Sequence, residues 1–356
     1  MKEGLKKALD VIFKIVVGLS IFFLSFVLVD EVKNLEQKGE HISYRHRPLI
    51  NPSKFLFFKN NATPPSVARL GDVPPIHEES IKKAQIVAFM IDNHRYARAF
   101  HEGILESDLI MELPAEGGIP RLIALFYINQ NLDKIGPIRS ARDYFIDVLE
   151  YFTPVIVHAG GSPQALEELT KRDDFLNLDH EFGDDYFWRD DKILRPHNLY
   201  ADLDKIAEYA DKNTWNKPKK LKLFEYGDDF VSDEEIDSFE VHFALDQNKA
   251  IWKWNDEQKL FIRTQKNEKN QIKMENVVVL VAPVWFLDKD DKGRLGMKTV
   301  GEDEAYVFRN GKYKKCKWTR EEGGFFELVN EKDEAVKLQS GKTFLEFVSD
   351  QNKLLF

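Results

Sequence analysis

One stretch near the start of the chain, Val11 to Val29, constrains the protein more than any other feature. It reads VIFKIVVGLSIFFLSFVLV, with Lys14 as its sole charge. A membrane-crossing helix needs roughly 17–25 mostly apolar residues, and this run qualifies. It is apolar on every side, unlike a helix that covers one face of a globular core. Lys14 stands near its start, where a long side chain can reach back to the headgroups. Lys2, Lys6 and Lys7 precede the run, and Asp30 and Glu31 follow it. Basic flanks stay inside, so residues 1–10 are expected as a cytoplasmic tail and the rest of the chain outside. The continuation Val29-Asp30-Glu31-Val32 lacks the small residues of a signal-peptidase site. No cysteine follows that could carry a lipid, because the chain's one cysteine is Cys316. The expectation is an uncleaved single-pass anchor over residues 11–29 in the cytoplasmic membrane.

The remaining length of a 356-residue chain suffices for two ordinary domains. Hydrophobic residues make up 43% and charged residues 31%, and with 27 phenylalanines the core is expected to be aromatic. A lone cysteine forms no intrachain disulfide, so packing must hold the fold, and Cys316 reads as a small buried hydrophobe. The net charge of −9 argues against a surface adapted to nucleic acid, which rewards clustered lysine and arginine, while still permitting a local basic pocket.

Residues 30–80 read as a stalk. Pro48, Pro52, Pro64, Pro65, Pro74 and Pro75 lie in it without periodicity, as in semi-rigid spacers. The apolar run Phe55–Phe58 inside it fits either the membrane surface or the body. From residue 81 the pattern changes. Gln85–Ile91, Leu109–Leu113, Leu122–Ile128 and Val155–Val157 are short apolar runs expected as buried strands. A Glu-Gly-Gly turn at Glu116–Gly118 joins the middle pair. Asp143–Phe152, Gln164–Leu169 and Asp202–Tyr209 have helical spacing, the second opened by Ser162 as N-cap and Pro163 in the first helical position. Alternation of this kind predicts an α/β (α+β) layer architecture, a sandwich-like N-terminal domain over 81–213. A polar linker is expected over 214–238. A smaller, mostly-β C-terminal domain over 239–356 follows, with strands at Glu240–Ala244, Ala250–Trp254, Val277–Val281, Ala305–Phe308, Phe325–Leu328 and Thr343–Val348. Asn310-Gly311 marks a tight hairpin there.

The chemistry-bearing residues crowd the ends of the N-terminal strands. They are Asp92 and Asn93, then Asp108 and Glu112, then Glu116 and Arg121. Arg139, Ser140 and Arg142 come next, followed by His158, Gly160, Gly161 and Ser162, and finally His197 and Asn198. In open α/β sheets, ligands sit where such loops converge. Arg139 and Arg142, three apart at the start of an expected helix, would share a face and suit phosphate or carboxylate oxygens. Gly160-Gly161-Ser162 ahead of a helix offers backbone N–H groups to the same kind of anion. The structural alternatives are ion pairs of both arginines with nearby acids, a plain tight turn at the glycines, and His158 as a satisfied core histidine. The acidic stretch Asp179–Asp191 reads as a solvated loop, and no metal site is expected.

Six ordered pieces, MIDN at 90–93, EGG-x-x-R at 116–121, GPIRSARDYF at 136–145, HAGGSPQAL at 158–166, YFWRD at 186–190 and PHNLY at 196–200, resemble the YerB-like family of bacterial lipoproteins. VFRNGK at 307–312, WTR at 318–320 and GKTF at 341–344 resemble that family's C-terminal domain. The resemblance implies two domains and an envelope location outside the membrane, and it supplies no reaction. Where such lipoproteins carry a lipidated cysteine, this chain carries the helix. The order of elements from Ser107 to Asp143 is also similar to the LytR-CpsA-Psr phosphotransferases. That similarity would make Asp108 or Glu112 a holder of a divalent metal and set Arg139 and Arg142 on a pyrophosphate. Three readings follow: an envelope module binding an anionic or sugar-phosphate ligand at Arg139, Arg142 and His158, an envelope phosphotransferase, and a scaffold for protein partners. The sequence names no cofactor and fixes no oligomeric state.

Overall fold

A computed structural model describes residues 85–128, 130–215, 221–227, 232, 234–350 and 353–356. The expected tail, anchor and stalk, residues 1–80 with Phe55–Phe58, lie outside the described residues. Among those described, no helix is long and apolar enough to cross a membrane.

The fold is a mixed α+β, sheet-rich structure. In the N-terminal half, β1 (Ile86–Asp92), β2 (Leu109–Leu113), β3 (Arg121–Tyr127), β4 (Val155–His158) and β5 (Leu176–Asp179) are followed by the short pair β6 (Phe187–Arg189) and β7 (Leu199–Ala201). Helices α1 (Asp143–Leu149), α2 (Pro163–Lys171) and α3 (Leu203–Lys212) alternate with them. The C-terminal half adds β8 (Ser238–Val241), β9 (Ala250–Asn255), β10 (Leu260–Gln265), β11 (Ile272–Met274), β12 (Asn276–Val281), β13 (Val284–Phe286) and β14 (Leu295–Met297). It ends with β15 (Gly301–Arg309), β16 (Lys312–Arg320), β17 (Glu327–Val329), β18 (Thr343–Val348) and β19 (Leu354–Leu355).

Ten strands make one sheet in the order β17-β16-β15-β12-β18-β2-β3-β1-β4-β5. The two halves meet inside it, because β18 pairs in parallel with β12 on one side and with β2 on the other. The described part of the 214–238 stretch packs as well, with Leu221, Leu223 and Phe224 buried. Strands β1, β2, β12 and β18 are buried along their whole length, which explains their continuous apolar runs: both faces are covered. One face lies under α1 and α2 through Phe145, Val148, Leu149 and Leu169. The other carries α3 and the smaller sheet β11-β10-β9-β8-β19, whose Phe239, Trp252 and Phe261 pack on Phe308 and Phe344. The Asn310-Gly311 hairpin forms as read, both residues at positive φ (52° and 68°). Cys316 is buried, and burial pushes its thiol up to about 12.

Candidate functional site

Parallel pairing sets β1, β2, β4, β5, β12 and β18 running the same way, so their carboxyl ends share one edge of the sheet. Asp92 faces Arg121 across the β1–β3 ladder, and Glu112 faces Glu346 across β2–β18. The sheet therefore gathers the polar strand ends, and two separate clusters result.

The first opens to solvent around Asp92. Its carboxylate Oδ2 takes His197 Nδ1 at 2.7 Å and Arg139 Nε at 3.2 Å, while Oδ1 accepts the His94 backbone N–H at 2.9 Å. Burial pushes the Asp92 carboxyl up, but the His197 hydrogen bond and the Arg139 charge outweigh it and hold the group below its ordinary value. His94 stacks flat on His197, ring centroids 4.8 Å apart at 7°, and Tyr96 leans on both. Burial, then the neighbouring His197, lowers the His94 imidazole below its ordinary value. Tyr96 is 53% exposed and carries the Arg95 guanidinium 4.6 Å over its ring. Arg139 is one-third exposed and spends only Nε on the protein, leaving two terminal nitrogens without a partner among the described residues.

The second cluster is sealed. Asn93 donates to Glu112 Oε1 at 2.5 Å, and Glu112 Oε2 accepts from Arg263, with all three side chains buried. Arg263 also reaches Glu268 at 2.7 Å and Glu346 at 3.7 Å, and Trp252 donates to Glu346 at 2.8 Å. Burial and the adjacent Glu112 charge hold the Glu346 carboxyl well above its ordinary value. Buried Arg98 joins the clusters. It bonds Asn93 with Nε and reaches Gln247 O, Lys266 O and Asn248 Oδ1 in the C-terminal half. Arg95 donates to Gln247 and Asn267 to the Arg95 carbonyl, so loop 93–98 is clamped by both halves of the chain.

The remaining expected residues go elsewhere. Segment 138–142 is extended, because Ile138 bridges to Ile91, Ala141 bridges to Gly161, and helix α1 begins only at Asp143. Residues three apart on extended backbone point to opposite sides, so Arg139 and Arg142 part company. Arg142 grips Glu116 with two bonds of 2.5 and 2.6 Å, and Arg121 donates to the Ser140 carbonyl beside the same carboxylate. His158 is fully buried with both ring nitrogens engaged, by Gly160 O at 2.8 Å and Asn177 Oδ1 at 2.6 Å. The Gly160 N–H, expected as a donor to an external anion, meets Asp179 at 2.9 Å, Gly161 pairs with Ala141, and Ser162 caps α2. Asn198 is held by Arg189 and the Asp190 carbonyl. Asp108 accepts from Gln130 and the Tyr127 N–H at the far end of β2, about 13 Å from Glu112 at about 3.3 Å per residue. Those two carboxylates cannot share one metal ion, and among the described residues no three His, Cys, Asp or Glu side chains are placed to hold one.

Sequence reasoning passed over His94, Arg95, Tyr96, Arg98, Arg263 and Glu346. The first three follow MIDN directly and Arg98 comes two residues later, and a polar-aromatic loop at a strand's carboxyl end was the signal available. Arg263 and Glu346 carry none, being single charges in otherwise strand-like runs.

Residues 73–216 match the family model described as "Protein of unknown function (DUF3048) N-terminal domain", and residues 239–345 match its C-terminal domain. A Bacillus subtilis (strain 168) protein described as "Putative lipoprotein YerB" is 27% identical over 287 residues, 77% of this chain and 84% of that one. The crystal structure of YerB protein from Bacillus subtilis superposes with a TM-score of 0.66 at 24% identity, covering 78% of this chain and 96% of that chain. This structural likeness speaks to the fold.

Proposed function

We propose a function from one premise: the chain belongs to the YerB-like family, built of the DUF3048 N-terminal and C-terminal domains. On that premise it is an extracytoplasmic binding module, tethered through the apolar run of residues 11–29, that takes an anionic, sugar-phosphate ligand of the cell envelope. The relative's description as a lipoprotein supports the location. The ligand surface is the Asp92 cluster, of which Arg139 and His197 were among the expected residues.

One observation carries the reading. A single buried carboxylate oxygen positions both a guanidinium and an imidazole at the surface, beside an exposed tyrosine ring. The free terminal nitrogens of Arg139 suit paired phosphate oxygens, and Tyr96 offers a face for a sugar ring. Arg142 is engaged by Glu116 and His158 by Gly160 O and Asn177, so the proposed surface is built without them. The phosphotransferase reading loses its metal carboxylates, since Asp108 and Glu112 are engaged at opposite ends of β2.

The test is calorimetric titration of the full chain in lipid nanodiscs with a phosphorylated disaccharide and with the same sugar dephosphorylated. The phosphorylated form should bind, and Arg139→Ala or His197→Ala should weaken it at least tenfold. Equal binding of both sugars, or binding indifferent to both substitutions, removes the assignment.

A further inference from the structure

A groove of about 860 Å³ lies at the other end of the ten-stranded sheet, between β17, the Arg320–Phe325 turn and the extended segment 221–225. Its size falls in the roughly 300–1,000 Å³ range of ligand sites. The floor is apolar: Leu328 and Val336 beside Phe325, whose ring lies 5.6 Å from Tyr151. The Tyr151 hydroxyl both accepts from the Lys222 N–H (2.9 Å) and donates to its carbonyl (3.0 Å), which pins the far wall.

The rim is predominantly acidic. Glu302, Glu321, Glu327 and Asp333 are exposed at it, and no side-chain hydrogen bond or salt bridge within the described residues ties down their carboxylates. The cations present are already committed. Lys222 pairs with Glu225 at 2.5 Å, and buried Arg320 spends its donors on the Gly324, Thr299 and Asp147 carbonyls. Four exposed carboxylates without a salt bridge among the described residues, around an apolar floor, disfavour an anion and reward a ligand that brings ammonium or guanidinium groups on an apolar frame.

We propose that this groove binds an extended peptide in which basic and aromatic side chains alternate, the aromatic ones on the floor and the basic ones at the rim. The site is separate from the Asp92 cluster and takes the opposite charge. Fluorescence polarisation of a labelled Lys-Phe repeat peptide against the full chain in nanodiscs tests it, with a Glu-Phe repeat as the opposite-charge probe. The Lys-Phe peptide should bind and the Glu-Phe peptide should not. Glu321→Lys with Glu327→Lys should weaken binding at least tenfold with an unchanged melting midpoint. Glu208→Lys with Glu257→Lys, on exposed positions of α3 and the β9–β10 turn, should change it less than twofold. An equal loss in both double variants would mean general attraction to an acidic chain and would overturn the site. Sedimentation showing a peptide-free dimer that the groove variants dissolve would assign the groove to a second copy instead.

Discussion

Asp92 and Asn93 are adjacent in the chain and open onto opposite environments. Asp92 turns to a solvent-facing cluster in which partners hold its carboxyl below the ordinary value. Asn93 turns inward to Glu112, Arg263 and Glu346, where burial holds one carboxyl well above it. Both clusters are built from carboxylates and arginines. What differs is water: at the surface a broken pair is resolvated, whereas inside it leaves a charge with nothing to replace its partner. The same chemistry is therefore free to serve recognition in one place and committed to holding the fold in the other.

The two clusters should differ most at Glu112. Glu112→Gln removes the negative charge that Arg263 grips in a fully buried site and should cost about 3–5 kcal/mol, read from urea unfolding of residues 81–356. Glu346→Gln should shift the same curve less than Glu112→Gln does, because burial and the adjacent Glu112 charge already favour the neutral form of the Glu346 carboxyl. Equal costs would show that Glu346 is ionised and that the cluster balances its charge differently.

His101 sits between the clusters and gives the next largest effect. Its ring is buried, its Nε2 bonds the Asp92 carbonyl at 2.7 Å, and burial lowers its pKa to about 4. The unfolded chain takes up that proton near 6.5 and the folded chain resists until about 4, so the His101 contribution is present above 6.5 and lost on acidification. The loss across that window is about 3 kcal/mol at 1.36 kcal/mol per unit. Glu346 slopes the other way, its raised pKa adding stability as pH falls toward the ordinary glutamate value. The clean readout is therefore the difference between the wild type and His101→Gln over pH 4–7. A difference that does not change with pH would place the His101 proton uptake outside the fold's energetics.

Strands buried on both faces were the most legible part of the fold. Leu109–Leu113 and Thr343–Val348 were readable to the residue, since a fully covered strand is continuously apolar. β16, with the sequence KYKKCKWTR, was not, because its outer positions carry lysines and the apolar ones are interrupted. That β18 would pair with β2 was illegible as well, since parallel pairing over more than 230 positions leaves no local mark. Among the strand-end residues, the structure brings Asp92, Arg139 and His197 together. Arg142 and His158 sit apart from these, held by Glu116 and Asn177, because the sequence lists charged groups but not their nearest partners.

The smallest effect is the most discriminating. Arg139→Ala deletes the surface partner of Asp92, yet the carboxylate keeps His197 at 2.7 Å and the His94 N–H at 2.9 Å. A pair whose arginine is one-third exposed is screened and should contribute no more than about 0.5–1 kcal/mol to stability. The Asp92 carboxyl should titrate somewhat higher in the variant, since the Arg139 charge is one of the causes that lower it. Carboxyl chemical shifts followed over pH 2–6, with urea midpoints alongside, read both quantities on one sample. A small stability change with a clear titration shift matches a residue present for what it meets outside the protein. A loss approaching that of Glu112→Gln would mean that the surface cluster, too, is part of the frame, and the contrast between Asp92 and Asn93 would collapse.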